Sequence, residues 1–181
     1  DQIVKAEVLL VTEDGEPFAY DEKLGYYQPV PQLTAWLANF FPEITTRSLL
    51  ANDLREIAQR LTWRKDLQCK RDEFNRSKEL VNLENGVFNL ETGELLEHDP
   101  RFRFTYQAKA SYLQDPESIN CPAFEEFCRS SLDGDPQKRQ LLLEIVGYIC
   151  SDLTTGKCAF FLQGQPNSGK SVISEFVGKL F

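Results

Sequence analysis

An α+β fold, mainly helical with short β-hairpins, is predicted for this 181-residue chain by three observations. Apolar residues recur at helical spacing in several separate stretches. Between them lie short runs of Phe, Tyr and Val bracketed by turn residues such as Asn85-Gly86. The final stretch, 156–181, has a different order: an apolar run, a glycine-rich loop, then an amphipathic helix. With 41% hydrophobic and 12% aromatic residues the chain can bury a core, which excludes disorder as its main state.

The elements follow in order. Residues 1–16 leave helix and strand open, because Ile3, Val4 and Val8 have helical spacing while β-branched residues recur throughout. PFAY (17–20) and GYYQPV (25–30) flank a polar DEKL and predict a hairpin. Pro31 suits a first helical turn, and Leu33, Trp36, Leu37, Phe40 and Phe41 form one apolar face before Pro42 ends the helix. A second helix is predicted over 48–62, with Leu50, Leu54, Ile57, Ala58 and Leu61 on its apolar side. The charged segment Arg64–Lys78 reads as a loop.

Val87 and Phe88, set between Asn85-Gly86 and Glu91-Thr92-Gly93, predict two or three short strands. Phe102, Phe104 and Tyr106 alternate with polar residues, so 101–112 is expected to be a strand. Helices resume at Pro122, with Phe124, Phe127, Cys128 and Leu132 on one side. The next begins with Asp135 as N-cap and Pro136 at the first position, and buries Leu142, Ile145, Val146 and Ile149. Ala159–Leu162 is expected to be a buried strand, and Val172, Ile173, Phe176 and Val177 the inner face of a last helix. The polar turn at 152–156 is the expected domain boundary, giving a domain over 1–155 and the start of a second over 156–181.

Charge is uneven. The net charge is −8, yet nine of the 20 Lys and Arg residues fall between Arg47 and Lys78 with only five acidic ones, leaving that stretch at about +4. Overall acidity excludes a histone-like coat for nucleic acid but allows one local contact. Five cysteines without a CxxC pair, and a single histidine, His98, far from them in sequence, argue against zinc. An odd cysteine count without a secretion signal reads as reduced thiols and a cytoplasmic location. No apolar run approaches the ~18 residues of a membrane span, so no membrane partner is expected. Methionine is absent and residue 1 is Asp, so a piece of a longer protein is expected.

Gly164-Gln165-Pro166-Asn167-Ser168-Gly169-Lys170-Ser171 fits GxxxxGK[ST] at every fixed position. Each residue type serves the chemistry. Gly164 and Gly169 let the backbone wrap tightly, so that successive N–H groups converge on phosphate oxygens. The helix that follows offers unpaired amides and a positive dipole end to the same anion. Lys170 is expected to reach the β- and γ-phosphates, and the Ser171 hydroxyl to ligate Mg through the nucleotide. The fold expected here is the first strand, P-loop and helix of an α/β P-loop NTPase, with ATP and Mg as its ligands.

The order of motifs resembles a known family. LVNLENGVFNLETGELLEHDPRFRFTY, then CPAFEEF and LDGDPQKRQLLLEIVGYI, then FFLQGQPNSGKS, resemble the phage- and plasmid-type primase–helicases. These are superfamily 3 helicases related to the poxvirus nucleoside-triphosphatase/primase. The resemblance runs from about Leu80 to Ser171, and more weakly upstream through GYYQPV. It implies a domain ahead of a motor, followed by the motor's first strand, loop and helix. It also implies a homo-oligomeric ring that translocates on single-stranded DNA with ATP in replication, with a primase domain possible on the same chain. Only Gly164, Gly169, Lys170 and Ser171 carry matched roles. The family's magnesium acid, polar sensor and arginine finger have no positions in these residues, so by themselves they are expected to hold phosphate weakly at best and not to turn over ATP. Gln165-Pro166 stands where small residues are common in the family.

A second site candidate is TWRKDLQCKRDEFNR (62–76). Arg64, Lys65, Lys70 and Arg71, interleaved with Trp63 and Phe74, could grip single-stranded DNA by phosphate pairing and base stacking. The competing expectation is a solvated loop with Trp63 packed on the core, and the interspersed acids favour it. His98 reads as a surface turn residue, and the acids Glu125, Glu126, Asp133 and Asp135 as helix-start residues rather than metal ligands. Two alternatives to the helicase stay open: a different P-loop NTPase or kinase, and a non-catalytic oligomerisation or docking module.

Overall fold

The computed structural model describes residues 8–40, 51–115, 119–151 and 156–181. They form five α-helices and two small sheets, a mixed α+β arrangement. The chain divides into two compact units, Asp1–Arg76 with His98–Tyr106 and Ser77–Glu97 with Gln107–Phe181. The expected boundary at 152–156 falls largely on residues outside the described set.

In the first unit, strands β1 (Leu9–Thr12), β2 (Pro17–Asp21) and β3 (Tyr26–Pro29) make an antiparallel meander, so the predicted hairpin forms. Helix α1 (Leu33–Phe40) starts two residues after Pro31, and α2 (Ala51–Thr62) follows. Phe41, Pro42 and Leu50, which the sequence placed in these helices or at their ends, lie outside the described residues. Leu9 and Val11 pack with Ala19, Leu33, Leu37 and Ala58, while Leu10 packs on the opposite face with Phe18, Tyr27 and Phe74. All four residues of β1 are buried. A strand covered on both faces loses its alternation and reads as a continuous apolar run. That is why the sequence left helix and strand open there.

The segment Arg64–Lys78 is more ordered than the expected loop. It holds 3-10 turns at Lys65–Leu67 and Arg71–Glu73, and a two-residue strand β4 (Gln68–Cys69) paired parallel to β1. Leu67, Cys69 and Phe74 are its buried residues, spaced so sparsely among charges that no periodic signal survives. The sheet order is β3-β2-β1-β4.

The expected strand at 101–112 does not form as one. Pro100–Phe102 is a 3-10 turn, and Arg103 sits in left-handed backbone with φ of 53°. That residue breaks the extended run, and its carbonyl accepts the Asn75 N–H at 3.1 Å instead of joining a ladder. Phe104 is nonetheless buried, with its carbonyl accepting the Tyr27 N–H at 2.7 Å. Asn75 and Thr105 close the same junction with two hydrogen bonds of 2.7 and 2.9 Å.

The second unit opens with a meander of β5 (Leu80–Leu83), β6 (Gly86–Asn89) and β7 (Leu95–Leu96), the three short strands expected. Ala108 makes a single bridge to Leu83, and Phe88 stacks on Tyr112 at 4.5 Å. Helices α3 (Pro122–Ser131) and α4 (Pro136–Cys150) follow, each with proline in its first turn. The Asp135 carboxylate accepts the amides of Gln137 and Lys138, the expected cap. Of the predicted α4 stripe, Leu142 is buried and Ile145, Val146 and Ile149 are half-buried. Helix α5 (Lys170–Lys179) closes the chain.

The run Ala159–Leu162 forms neither helix nor strand and belongs to no sheet, in contrast to the buried strand expected. Phe161 is 91% exposed, and Phe160 and Leu162 are exposed as well. A phosphate-loop strand is normally flanked inside a parallel sheet. No described strand offers this run a ladder.

Candidate functional site

The loop 164–169 leads the chain from that run into α5. Its tip passes through Asn167 at φ of 63° and Gly169 at φ of 82°, the latter capping the helix. These left-handed residues, four and two positions ahead of Ser171, fold the backbone back on itself, a conformation glycine adopts at little cost and asparagine tolerates. The Ser168 N–H donates to the Gln165 carbonyl at 3.3 Å. A methyl group on Gly164 would come 2.7 Å from Ser168 Oγ, so the loop closes where only hydrogen fits.

Lys170 is the first residue of α5, and its side chain curls back into the loop. Its Nζ donates to the carbonyls of Gly164 and Gln165 at 3.0 and 2.7 Å and to Ser168 Oγ at 3.1 Å. Two carbonyls and a hydroxyl thus neutralise part of the ammonium's need for acceptors. Ser171 stands exposed one residue further on. The first amides of a helix lack acceptors within it, so the N-terminus of α5 adds donors and a positive dipole end beside the ammonium. Cation, hydroxyls and helix amides converge on one loop, a donor set that suits a phosphate. For magnesium, Ser171 supplies one hydroxyl, and no cluster of three or more His, Cys, Asp or Glu residues suited to a metal occurs among the described residues. The residues therefore fit a metal that arrives on a nucleotide, not one held by protein alone.

On its other side the loop rests on α3. A Cβ on Gly169 would lie 2.7 Å from Phe127 Cε2, 3.1 Å from Phe127 Cζ and 2.7 Å from Ser131 Oγ. The sequence placed Phe127 among core residues only. Its place beside the loop has no linear signal, because helix and motif are separated by all of α4.

The basic segment is arranged differently from a nucleic-acid grip. Arg64 forms a two-pronged ion pair with Asp66 at 2.9 and 2.5 Å, which raises the guanidinium's pKa and lowers that of the carboxyl. Arg71 is drawn to an acidic turn: its side chain pairs with Glu16 and Asp14, and its amide donates to Glu13 at 2.8 Å. Lys65 and Lys70 are exposed and make no ion pair among the described residues. Trp63 is 71% exposed, so it does not pack on the core as the loop expectation had it. It lines a cleft of about 480 Å³ with Glu13, Asp14 and Gln68. A phosphate backbone laid along Arg64 and Arg71 meets these carboxylates as well as the cations.

The remaining candidates have structural partners. The His98 ring lies against Gly25, where an added Cβ would come 2.4 Å from Cδ2. Glu125 pairs with Arg139 at 2.7 Å, Glu126 with Arg129 at 2.7 Å and Asp133 with Lys138 at 3.3 Å. Cys69, Cys121, Cys128, Cys150 and Cys158 are free thiols. No described helix is long and apolar enough to cross a membrane.

Comparison with known proteins places the chain. The family described as D5 N terminal like matches residues 6–132, more than two thirds of the length, and the chain belongs to it. This is the N-terminal domain of D5-like primase–helicases, a phage and viral family of replication proteins. The match covers the first unit from residue 6, the meander and α3, and ends before the loop 164–171. No curated protein shows significant similarity to the chain.

Proposed function

We propose, from membership of the D5 N terminal like family, that residues 156–181 begin an ATP-driven superfamily 3 helicase motor. The preceding residues, 1–155, then form the domain ahead of it. The observation that carries this proposal is the loop Gly164–Ser171 at the N-terminus of α5, with Lys170 Nζ folded into it. Gly164 and Gly169 permit the close backbone approach, Gln165 to Ser168 form the rim, Lys170 pairs with the β- and γ-phosphates, and Ser171 meets the nucleotide's Mg. ATP and Mg are the proposed ligands. Bound Mg-ATP supplies the phosphoanhydride whose hydrolysis drives translocation.

A relation to the poxvirus nucleoside-triphosphatase/primase, a homo-oligomeric ring, single-stranded DNA as track, a primase domain on the same polypeptide and a cytoplasmic place of work complete the proposal. For DNA contact through Arg64, Lys65, Lys70 and Arg71, the support is confined to Lys65, Lys70 and the exposed Trp63, since both arginines are engaged by carboxylates.

The test is a titration of the 181-residue chain with a fluorescent ATP analogue and Mg. Saturable binding is expected, with Lys170→Ala weakening it by about tenfold or more, the scale of a lost charge-assisted contact to phosphate. Sustained ATP hydrolysis by the chain is not expected. Equal binding by wild type and Lys170→Ala overturns the proposal.

A further inference from the structure

The place a Cβ on Gly169 would take is occupied by an aromatic ring and a hydroxyl, both from α3. Measured from the position a Cβ would take, Phe127 Cε2 is 2.7 Å away and Ser131 Oγ 2.7 Å. No other glycine of the motif meets a residue outside the motif at such range, since Gly164 meets only Ser168. Gly169 is also the residue that caps α5 and turns left-handed, at φ of 82°, to aim the first helical amides and Lys170 at the loop. A shift of its Cα therefore redirects every donor of the site at once.

Phe127 is itself fixed. It is half-buried on α3 and lines an apolar groove of about 480 Å³ with Phe124, Leu142, Val146, Ile173 and Phe176, drawn from α3, α4 and α5. Cys128, its chain neighbour, is buried. The ring thus stands on a packed helix surface with one edge turned to Gly169. Ser131 ends the same helix one turn on.

We infer that Phe127, with Ser131 beside it, positions the phosphate loop by bracing Gly169, so that the last helix of the family-matched region builds one wall of the nucleotide site. The inference rests on the nucleotide reading proposed above and deepens it: α3 is then part of the phosphate-binding apparatus and not a spacer ahead of it. The physical basis is preorganisation. A loop held in its binding conformation before the anion arrives does not spend binding energy on ordering. Removing the ring leaves a space beside Gly169 into which the left-handed turn relaxes, and the amides and ammonium then have to be gathered by the ligand. Phe127 touches no phosphate in this role; it acts through Gly169.

The experiment compares Phe127→Ala, Phe127→Leu and Phe124→Ala in the full chain, by titration with the fluorescent ATP analogue and by thermal unfolding. Phe124 lines the same groove and lies 5.7 Å from the Arg139 guanidinium, but is not among the atoms nearest Gly169. Phe124→Ala therefore reports the cost of loosening α3 packing alone. The expected result is about tenfold weaker nucleotide binding in Phe127→Ala, with most of the affinity regained in Phe127→Leu and kept in Phe124→Ala, while both alanine variants lose thermal stability to a similar degree. If wild type binds and Phe127→Ala binds equally well, or if Phe124→Ala weakens binding as much, the bracing role is overturned. If wild type itself binds no nucleotide, the proposed function fails, a different result read from a different sample. Should Phe127→Ala not fold, a Ser131→Val variant carries the comparison, with weaker nucleotide binding expected. Unchanged affinity in Ser131→Val then overturns the inference.

Discussion

At the scale of single residues, the proposed nucleotide site gives Lys170 a second set of partners beside those of the free loop. In the free loop its ammonium is shared among the Gly164 and Gln165 carbonyls and Ser168 Oγ. In the proposed role a phosphate draws it away, so those three hydrogen bonds are part of what nucleotide binding would replace. Ser168 contributes the weakest of the roles written into the motif, since any residue is allowed there by the pattern. Replacing it with alanine removes one acceptor from the empty loop. Ser168→Ala is expected to bind Mg-ATP about two- to threefold more tightly, the low end of the range for one hydrogen bond lost from the unliganded state. Weaker binding in the same titration means that the hydroxyl serves the bound nucleotide instead.

At the scale of elements, what the sequence made legible depended on which faces were covered. The antiparallel meander β5-β6-β7 and helices α3 and α4 announce themselves through Asn85-Gly86, Pro122, Asp135 and Pro136, because turn and cap chemistry is local. The Asp135 cap can be tested directly. Asp135→Ala leaves the Gln137 and Lys138 amides without their acceptor and is expected to cost about 1 kcal/mol, lowering the melting temperature by about 2–4 °C in a calorimetric scan. An unchanged melting point counts against the cap as a source of stability. Strand β4 was illegible for the opposite reason. Its two residues owe their place to a parallel pairing with β1, and nothing local to Gln68-Cys69 signals a partner so distant in the chain. The alternation of Phe102, Phe104 and Tyr106 mimicked a strand, yet Arg103 turns left-handed and only Phe104 is buried deeply. In the candidate site the motif was fully readable, because it is contiguous. Its brace on α3 was not, because packing between distant segments leaves no spacing in the sequence. The paired state of Arg64 was foreshadowed by the acid two residues on, while the acidic turn that takes Arg71 lies in a different part of the chain.

At the scale of the whole molecule, the first unit is discontinuous. Residues 98–106 return to it after the chain has left to make the meander of the second unit. The seam is specific: Tyr27 N–H to the Phe104 carbonyl at 2.7 Å, and the reciprocal pair between Asn75 and Thr105. Asn75→Ala severs that pair and leaves the Thr105 amide unserved. It is expected to destabilise the first unit by about 1–3 kcal/mol and to speed hydrogen exchange at the Tyr27 amide, with amides of α4 unaffected. Protection at Tyr27 that survives the substitution shows that Phe104 holds the seam without help.

The same seam sets a timetable for a nascent chain. A ribosome that adds ~5–20 residues per second delivers Phe104 roughly 4–15 seconds after Tyr27. Until then the meander β1-β2-β3 has emerged, but the acceptor for Tyr27 has not been made. The interval is spent translating the helices, β4 and the strands of the other unit. The first unit is thus complete only once residue 106 has been made, and until then a holdase chaperone meets a meander whose Tyr27 amide lacks its acceptor.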